Sequence, residues 1–314
     1  MTVGTDLRDE TLGFNEQLRQ VFAALPGVET VPVDVTRRSR YDGHSVFPVP
    51  VFVDEARWVD VPSRGSGLRA RVFAPDDEAV GVYLHIHGGG WSIGAADLHD
   101  VSLLQLARDT RLVVASLEYR LAPEHPYPAA PDDCEDAALW LLDRGARELG
   151  APPALAIGGE SAGAHLSAVT LLRLRDKHRV TGAFKAANLV YGAFDLSGTP
   201  SRRLAGAETL VLTDAGMNWF TDNFLPVHDA EQRRDPDISP LYADLRDLPP
   251  ALFTVGTADP LLDDSLFMAA RWQAAGNHAD LRVYDGGVHG FNAFPLGIAR
   301  AANDAQAEFL RASF

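Results

Sequence analysis

The chain has 314 residues, of which 46% are hydrophobic and 23% are charged, and this is the composition of a globular protein with a sizeable core. It excludes a disordered chain and a collagen-like fibre. The net charge of −15 disfavours nucleic acids and anionic membrane surfaces as partners, because both repel an acidic protein. The single cysteine, Cys134, excludes an intrachain disulfide and a metal site built from several cysteines.

The first part of the chain predicts a helix and then a polar stretch. Apolar residues recur at helical spacing until Pro26-Gly27 interrupts them; they are Phe14, Leu18, Val21, Phe22 and Leu25. We interpret residues 1–45 as a helical segment that precedes the main sheet. The first residues do not have the pattern of a signal peptide, and no apolar run approaches the roughly 18 residues of a membrane span, so we expect a cytoplasmic protein without stable membrane association.

Strands alternating with helices follow this segment. Two β-like stretches, 57–61 and 68–73, are joined by a hairpin-type loop at 63–67. Further strands are predicted at residues 82–86, 112–117, 155–157, 187–191, 252–255 and 281–284, and helices at about 132–149, 162–175, 263–275 and 296–312. Their alternation indicates a doubly wound α/β sheet with right-handed crossovers.

One long segment interrupts this alternation. Residues 195–237 lack a strong strand but carry large apolar side chains at helical spacing, namely Met217, Trp219, Phe220 and Phe224. An ordinary long connection that contains a helix is the plainer alternative. We favour a cap insertion, because long segments inside a compact domain are usually functional. The core is then residues 46–194 and 238–314.

The strongest motif is Gly159-Glu160-Ser161-Ala162-Gly163, which lies between the predicted strand 155–157 and the predicted helix 162–175. In this context G-x-S-x-G is typical of a nucleophile elbow, in which a strained turn exposes the serine hydroxyl. The helix that begins there directs free N–H groups toward developing negative charge. Ser161 is therefore the predicted nucleophile, although the motif also occurs by chance in glycine-rich loops.

A second motif, His87-Gly88-Gly89-Gly90-Trp91, follows the predicted strand 82–86. Bare glycine amides that a substrate can approach are what an oxyanion hole needs, so we predict Gly88, Gly89 and Ala162 as its donors. A flexible loop or a weak phosphate cradle is the alternative. The absence of a following Gly-Lys-Ser/Thr and the bulk of Trp91 argue against a phosphate site.

Two histidines, His85 and His87, have a spacing that can serve a metal on a strand. No convincing third or fourth ligand accompanies them, so we expect no metal. We expect instead that His87 supports the glycine loop through a backbone hydrogen bond.

A serine nucleophile needs a base and an orienting carboxylate, which follow it in the chain order Ser, Asp, His in hydrolases of this type. His289 is favoured as the base because it lies in a glycine-flanked loop after the last strand, at the carboxyl edge of the sheet. The other histidines beyond Ser161 are His165 in the elbow helix, His178 in a solvated turn, His228 in the predicted insertion and His278 in a turn that ends a helix. Asp259, after strand 252–255, is favoured as the acid over Asp285.

Five motifs together resemble the hormone-sensitive-lipase-like branch of the α/β-hydrolases, which are mostly bacterial carboxylesterases. Besides the elbow and the glycine loop they are Tyr119-Arg120-Leu121-Ala122-Pro123-Glu124, Asp259-Pro260-Leu261 and His289-Gly290-Phe291. The resemblance implies an eight-stranded, mostly parallel sheet flanked by helices, and a helical cap built from the N-terminal cap segment 1–45 and the insertion 195–237. It also implies the triad Ser161, Asp259 and His289. Glu160 departs from the family pattern, since many members carry Asp there.

The resulting hypothesis is a serine carboxylesterase that hydrolyses short- to medium-chain acyl esters through an acyl-enzyme. Trp91, Phe220 and Phe291 are predicted to contact the substrate, and no cofactor is required. An amidase, lactonase or carbamate hydrolase with the same triad, and a non-catalytic small-molecule receptor, are the alternatives. The expected partner is a small ester, and a homodimer is left open.

Overall fold

An eight-stranded sheet forms the centre of the computed structural model, which describes residues 3–65 and 67–314. Residues 1–2 of the predicted cap segment and Ser66 of the predicted hairpin loop lie outside the described residues. The strands are β1 (Arg57–Asp60), β2 (Arg69–Phe73), β3 (Gly81–Ile86), β4 (Leu112–Glu118), β5 (Leu155–Glu160), β6 (Phe184–Val190), β7 (Ala251–Gly256) and β8 (Ala279–Tyr284). They lie side by side in the order β1-β2-β4-β3-β5-β6-β7-β8.

The sheet is mostly parallel, which confirms the predicted fold class. Only β2 runs antiparallel to its neighbours β1 and β4. Every residue of β3 and of β7 is buried, because helices cover both faces of a parallel sheet. Along β3, Val82 and Leu84 pack into the core on one face, and Tyr83 packs on the other. The edge strand β8 is partly exposed, which explains its weaker apolar pattern.

The described helices are α1 (Val3–Ala23), α2 (Val33–Tyr41), α3 (Asp100–Thr110), α4 (Ala129–Trp140), α5 (Ala146–Glu148), α6 (Ala162–His178), α7 (Pro200–Leu204), α8 (Asp214–Phe224), α9 (Leu262–Ala274) and α10 (Gly297–Ala312). A π-helical turn, Leu141–Gly145, joins α4 to α5, where the sequence predicted one continuous helix. None of the helices in the described part of the chain is both long and apolar enough to cross a membrane.

The sequence analysis missed α2 and α3. Helix α2 contains no buried residue, so it has no apolar face that periodicity could detect, and its residues were interpreted as a polar stretch. Helix α3 buries Leu103, Leu104 and Ala107, but also Asp100, whose carboxylate pairs with Arg71 at 2.5 Å. The buried aspartate weakens the apolar pattern of a helix that is only three turns long.

The N-terminal helices form a helical cap on the sheet. Arg37 of α2 donates hydrogen bonds to the carbonyl oxygens of Ser92 and Ala122, at 2.8 and 2.9 Å. The turn Val28–Thr30 contacts α8, which is the main helix of residues 195–237. The two segments that the sequence analysis assigned to a cap therefore touch each other, and α2 is tied to the loop that follows β3.

Candidate active site

Ser161 occupies a sharp turn between β5 and α6. Its φ of 57° is unusual for a residue other than glycine and marks local backbone strain. A Cβ at Gly159 or at Gly163 would lie 1.8 Å from the carbonyl oxygen of Ile86, so both positions require glycine for β3 to pass this closely. This crowding explains the motif and exposes the Ser161 hydroxyl at the carboxyl end of the sheet.

A hydrogen-bonded chain joins Ser161, His289 and Asp259. Nε2 of His289 lies 2.9 Å from Oγ of Ser161, and its Nδ1 lies 2.9 Å from Oδ2 of Asp259. The other carboxylate oxygen of Asp259 accepts from the amide of Leu261 at 2.8 Å. A carboxylate at Nδ1 keeps the proton on that nitrogen, so Nε2 is left with a lone pair that faces the serine.

The loops that carry Asp259 and His289 follow the neighbouring strands β7 and β8 and are tied to each other. Oγ1 of Thr257 accepts from the amide of Gly286 at 2.8 Å and donates to Asp285 at 3.2 Å. Asp285 also pairs with Arg8 at 2.9 Å. The carboxylate of Asp285 is therefore bound by Arg8 and Thr257, while the carboxylate of Asp259 contacts His289.

Tyr191 is a site residue that the sequence analysis missed. Its ring packs edge-on against that of His289, with centroids 4.7 Å apart, and its hydroxyl donates to Oδ1 of Asn292 at 2.5 Å. Burial raises the pKa of Tyr191 well above its usual range, so the phenol stays neutral. Tyr191 follows β6 immediately, and position at a strand end was the only sequence signal that could have found it.

The prediction that Gly88 serves as an oxyanion donor is wrong. Its N–H donates to Oε1 of Glu160 at 2.8 Å and is not available to a substrate. Within the described part of the chain, the amides of Gly89 and Gly90 have no acceptor. The amide of Ala162 belongs to the first turn of α6, where no intrahelical acceptor exists. Gly90, which the sequence analysis passed over, therefore takes the place of Gly88 among the available donors.

His87 makes the backbone hydrogen bond that was predicted for it. Its Nδ1 lies 2.8 Å from the carbonyl oxygen of Gly88, and its ring stacks on Tyr119 at 4.3 Å. Burial lowers the pKa of His87, which favours the neutral ring. His85 instead contacts Glu160 and Ser116, so the two histidines do not converge. Residues 3–65 and 67–314 contain no group of three His, Cys, Asp or Glu residues suited to a metal.

The structure contradicts a substrate-contacting position for Trp91. The indole is buried, stacks on Phe224 with centroids 4.7 Å apart, and donates from Nε1 to Nδ1 of His165 at 3.1 Å. Nε2 of His165 donates to the carbonyl oxygen of Ile238 at 2.8 Å. Both ring nitrogens of His165 are therefore occupied by partners other than Ser161, and Trp91 belongs to the core that anchors the end of the insertion.

Phe291 and Phe220 differ in their placement. Phe291 is fully buried between Tyr191 and Tyr284, which contradicts its predicted contact with substrate. Phe220 of α8 lies directly over the glycine loop, since a Cβ at Gly90 would be 2.2 Å from its ring. Phe220 is thus the one of the three predicted contact residues that lies beside the available amide donors.

A serine on the turn between strand and helix, hydrogen-bonded to a histidine and an aspartate from later loops of a mostly parallel sheet, is the arrangement of an α/β-hydrolase. The family model described as "alpha/beta hydrolase fold" matches residues 83–293. Carboxylic ester hydrolase LipN of Mycobacterium tuberculosis is 35% identical over 306 residues, which cover 95% of this chain and 75% of that protein. Carboxylesterase NlhH of the same species is 35% identical, covering 70% and 69%.

Solved structures agree with these relatives. The hyperthermophilic esterase from Pyrobaculum calidifontis superposes with a TM-score of 0.86 at 33% identity, covering 95% of this chain and 97% of that one. EstE1, a thermostable carboxylesterase cloned from a metagenomic library, gives a TM-score of 0.77 at 33% identity, covering 99% and 98%. The chain belongs to the hormone-sensitive-lipase-like carboxylesterases of the α/β-hydrolase fold and is a carboxylic ester hydrolase.

Proposed function

We propose that the protein hydrolyses short- to medium-chain acyl esters through an acyl-enzyme, with Ser161 as nucleophile, His289 as general base and acid, and Asp259 as the group that orients the imidazole. The observation that carries this proposal is the pair of 2.9 Å contacts through which His289 joins Ser161 to Asp259. His289 and Asp259 are both buried, so their hydrogen bonds are shielded from competing water.

The reaction follows from this geometry. His289 takes the proton of Ser161 through Nε2 while Oγ attacks the ester carbonyl, and the imidazolium is stabilised by Asp259. His289 then gives this proton to the oxygen of the alcohol. The alcohol departs, and the acyl group stays bound to Ser161. Water attacks the acyl-enzyme in the second half, with His289 again as base, and the carboxylic acid departs.

The negative charge of the tetrahedral intermediate is received by the amides of Gly89, Gly90 and Ala162. These donors need no reorganisation when the charge develops, because the loop and the first turn of α6 already hold them without internal acceptors. Removal of one such donor in related chemistry lowers kcat by about 10²–10³-fold. The set therefore supplies a large share of the rate enhancement.

The limit on acyl length comes from the cap. Phe220 lies over Gly90, so its ring bounds the space beside the amide donors, and Trp219 packs against this ring with centroids 5.0 Å apart. Each CH₂ that is buried adds about 0.8 kcal/mol of binding, but only while space remains. Short and medium acyl chains gain this energy, and long chains must displace the Phe220 ring.

A substrate panel tests the proposal. We expect activity on p-nitrophenyl esters to peak between acetate and octanoate and to be low on palmitate and on emulsified triolein. Ser161→Ala should abolish turnover while the protein stays folded, and an organophosphate should label Ser161. Ser167→Ala is the matched control, because its hydroxyl donates to the carbonyl oxygen of Gly163 on the same helix, away from the proposed triad. Faster turnover of the matching anilide or lactone, or labelling of another serine, would contradict the proposal.

A further inference from the structure

The carboxylate that precedes the nucleophile in the chain is held on several sides. Oε1 of Glu160 accepts from the amide of Gly88 at 2.8 Å, and Oε2 lies 3.0 Å from Nε2 of His85. Nε2 of His99, at the start of α3, lies 3.5 Å from Oε1. The side chain of Glu160 is only 18% exposed. Its contacts therefore lie inside the protein, on the side of the glycine loop.

These contacts continue across three adjacent strands. His85 of β3 lies between Ser116 of β4 and Glu160 of β5, and its Nδ1 is 3.0 Å from Oγ of Ser116. Ser116 and His85 are both buried. One arrangement of protons satisfies all three groups: the Ser116 hydroxyl donates to Nδ1, and Nε2–H of His85 donates to the carboxylate.

Glu160 is ionised in this setting. Burial acts to raise its pKa, but His85, His99 and the Gly88 amide together hold the pKa of Glu160 well below its usual range. Burial lowers the pKa of His99 to about 4, so this neighbour is neutral near pH 7. The Gly88 amide therefore donates to a full negative charge, and such hydrogen bonds are the stronger kind.

Gly88 is held at both ends as a result. Its amide is bound by Glu160, its carbonyl oxygen accepts from Nδ1 of His87, and a Cβ on it would lie 3.3 Å from Cβ of Ser161. The next two residues, Gly89 and Gly90, have φ angles of 112° and 56° and no side chains that could fix them. The amides of Ser92 and Ile93 hold the carbonyl oxygen of Gly89 at 3.1 and 2.9 Å, and the anchored peptide of Gly88 holds the other end of the loop, next to Ser161.

We propose that Glu160 is a positioning residue, which sets the distance between the oxyanion donors and Ser161 by holding the amide of Gly88. This inference rests on the proposed function. Glu160 acts through the loop and does not touch the substrate. Because the oxyanion exists only in the transition state, loosening the loop reduces kcat and leaves ground-state binding, and hence KM, little changed.

Three substitutions separate this role from simple stabilisation. Glu160→Ala removes the acceptor of Gly88. Glu160→Asp shortens the side chain by one carbon–carbon bond, about 1.5 Å, so it cannot reach Gly88 and His85 together. Glu160→Gln keeps an oxygen that can accept from the Gly88 amide. Its side-chain NH₂ group can donate to Nε2 of His85 if His85 carries its proton on Nδ1, from which it then donates to Ser116.

The experiment measures kcat and KM with p-nitrophenyl acetate, and the Ki of a trifluoromethyl ketone whose adduct with Ser161 places an oxyanion on the donors. We expect Glu160→Ala to lower kcat by about 10²-fold, the loss typical of one oxyanion donor, with the Ki rising by the same factor and KM nearly constant. Glu160→Asp should show a smaller, parallel change, and Glu160→Gln should restore both values.

The control is Glu118→Ala. Glu118 also accepts a backbone N–H, that of Ala96 at 2.7 Å, from the same loop but away from the nucleophile. This variant should lower the melting temperature and leave the Ki unchanged. If Glu160→Ala does not fold, the kcat and Ki of Glu160→Asp test the proposal in its place. If kcat and Ki are unchanged in Glu160→Ala, or in Glu160→Asp where Glu160→Ala does not fold, while Ser161→Ala is inactive, the positioning role alone is overturned. Activity that survives Ser161→Ala overturns the proposed function, and the positioning role with it.

Discussion

Asn15 on the N-terminal helix donates a hydrogen bond from Nδ2 to the carbonyl oxygen of Gly286 at 2.8 Å, although 271 positions separate the two residues in the chain. Gly286 lies three residues before His289, in the same loop. Arg8 pairs with Asp285, and the methyl group of Thr11 would lie 3.1 Å from a Cβ on Gly286. One face of α1 therefore supports the loop that carries the proposed catalytic base.

Because of this contact, we expect Asn15→Ala to lower kcat/KM clearly while it lowers the free energy of unfolding only slightly. The lost hydrogen bond is worth only about 1 kcal/mol to folding, but the loop that holds His289 loses a fixed point. Steady-state kinetics and a thermal melt of the same sample measure the two effects. Gln17→Ala, at an exposed position of the same helix, is the control and should change neither. Equal kinetics in the two variants would show that the contact has no part in placing His289.

Deletion of residues 1–30 should have a larger effect of the same kind. Residues 3–30 of the deleted segment contribute no strand to the sheet, whereas they contact both α8 and the His289 loop. We expect most of the turnover to be lost while the truncated protein still melts cooperatively. The comparison is kcat/KM across the ester panel beside a calorimetric scan. A truncated enzyme with the original rate and chain-length profile would exclude the segment from the site.

Activity should fall on the acid side of the pH profile, because a protonated His289 cannot accept the proton of Ser161. A metal chelator should have no effect, since no step of the proposed mechanism uses a metal. The measurements are kcat/KM against pH and residual activity after dialysis with the chelator. A flat acid limb, or chelator inactivation that zinc reverses, would contradict the role of His289 as the general base.

Phe220→Ala should shift the chain-length optimum toward longer acyl groups. Removing the ring over Gly90 opens space, and each further buried CH₂ can add up to about 0.8 kcal/mol, or about fourfold in kcat/KM. The ester panel measures this shift. Asn218→Ala, at an exposed position of the same helix, is the control. An unchanged optimum in Phe220→Ala would mean that another part of the protein sets the limit.

Asp264 predicts a pH-dependent stability. It is fully buried, and burial raises its pKa to about 7 although the amides of Phe194 and Asp195 and the hydroxyl of Thr199 donate to it. The unfolded value is about 3.9, so the folded state binds the proton more tightly, and this stabilisation is complete below about pH 4 and lost as the pH rises toward 7.

Asp264→Asn has no such proton, and its side-chain oxygen can keep the two amide hydrogen bonds. The melting temperature of wild type should therefore fall relative to Asp264→Asn as the pH rises from about 4 to about 7, and the difference should then stay constant. Melts over this range measure it, with Asp263→Asn on the same helix as the control. A difference that does not vary with pH would show that Asp264 titrates normally.

Much of the fold could be predicted because its signals are local. Continuous apolar runs located the central strands, since a strand covered on both faces must be apolar at every position. The boundaries were less certain: β6 begins at Phe184, whereas the prediction began it at residue 187, and the partly exposed β8 begins at Ala279 instead of 281. Strand ends depend on pairing with neighbouring strands, which an apolar run does not record.

The candidate site could be predicted for a related reason. Parallel strands end at one edge of the sheet, so loops after β5, β7 and β8 bring their residues together whatever lies between them in the chain. Ser161 was selected on its motif and Asp259 and His289 on their places after strands, and His289 lies within hydrogen-bond distance of both other residues. Tyr191 follows a strand in the same way, but a tyrosine there has no motif that distinguishes it from a core residue.

Only the tertiary structure decided which amides and rings are available to a substrate. Gly88 donates to Glu160, 72 positions away, and Trp91 donates to His165, 74 positions away, so neither keeps the role that its motif suggested. A motif fixes the type of a group and its place on a strand or loop. The partner that consumes its hydrogen-bonding capacity comes from a distant part of the chain, and it becomes known only when the two segments pack together.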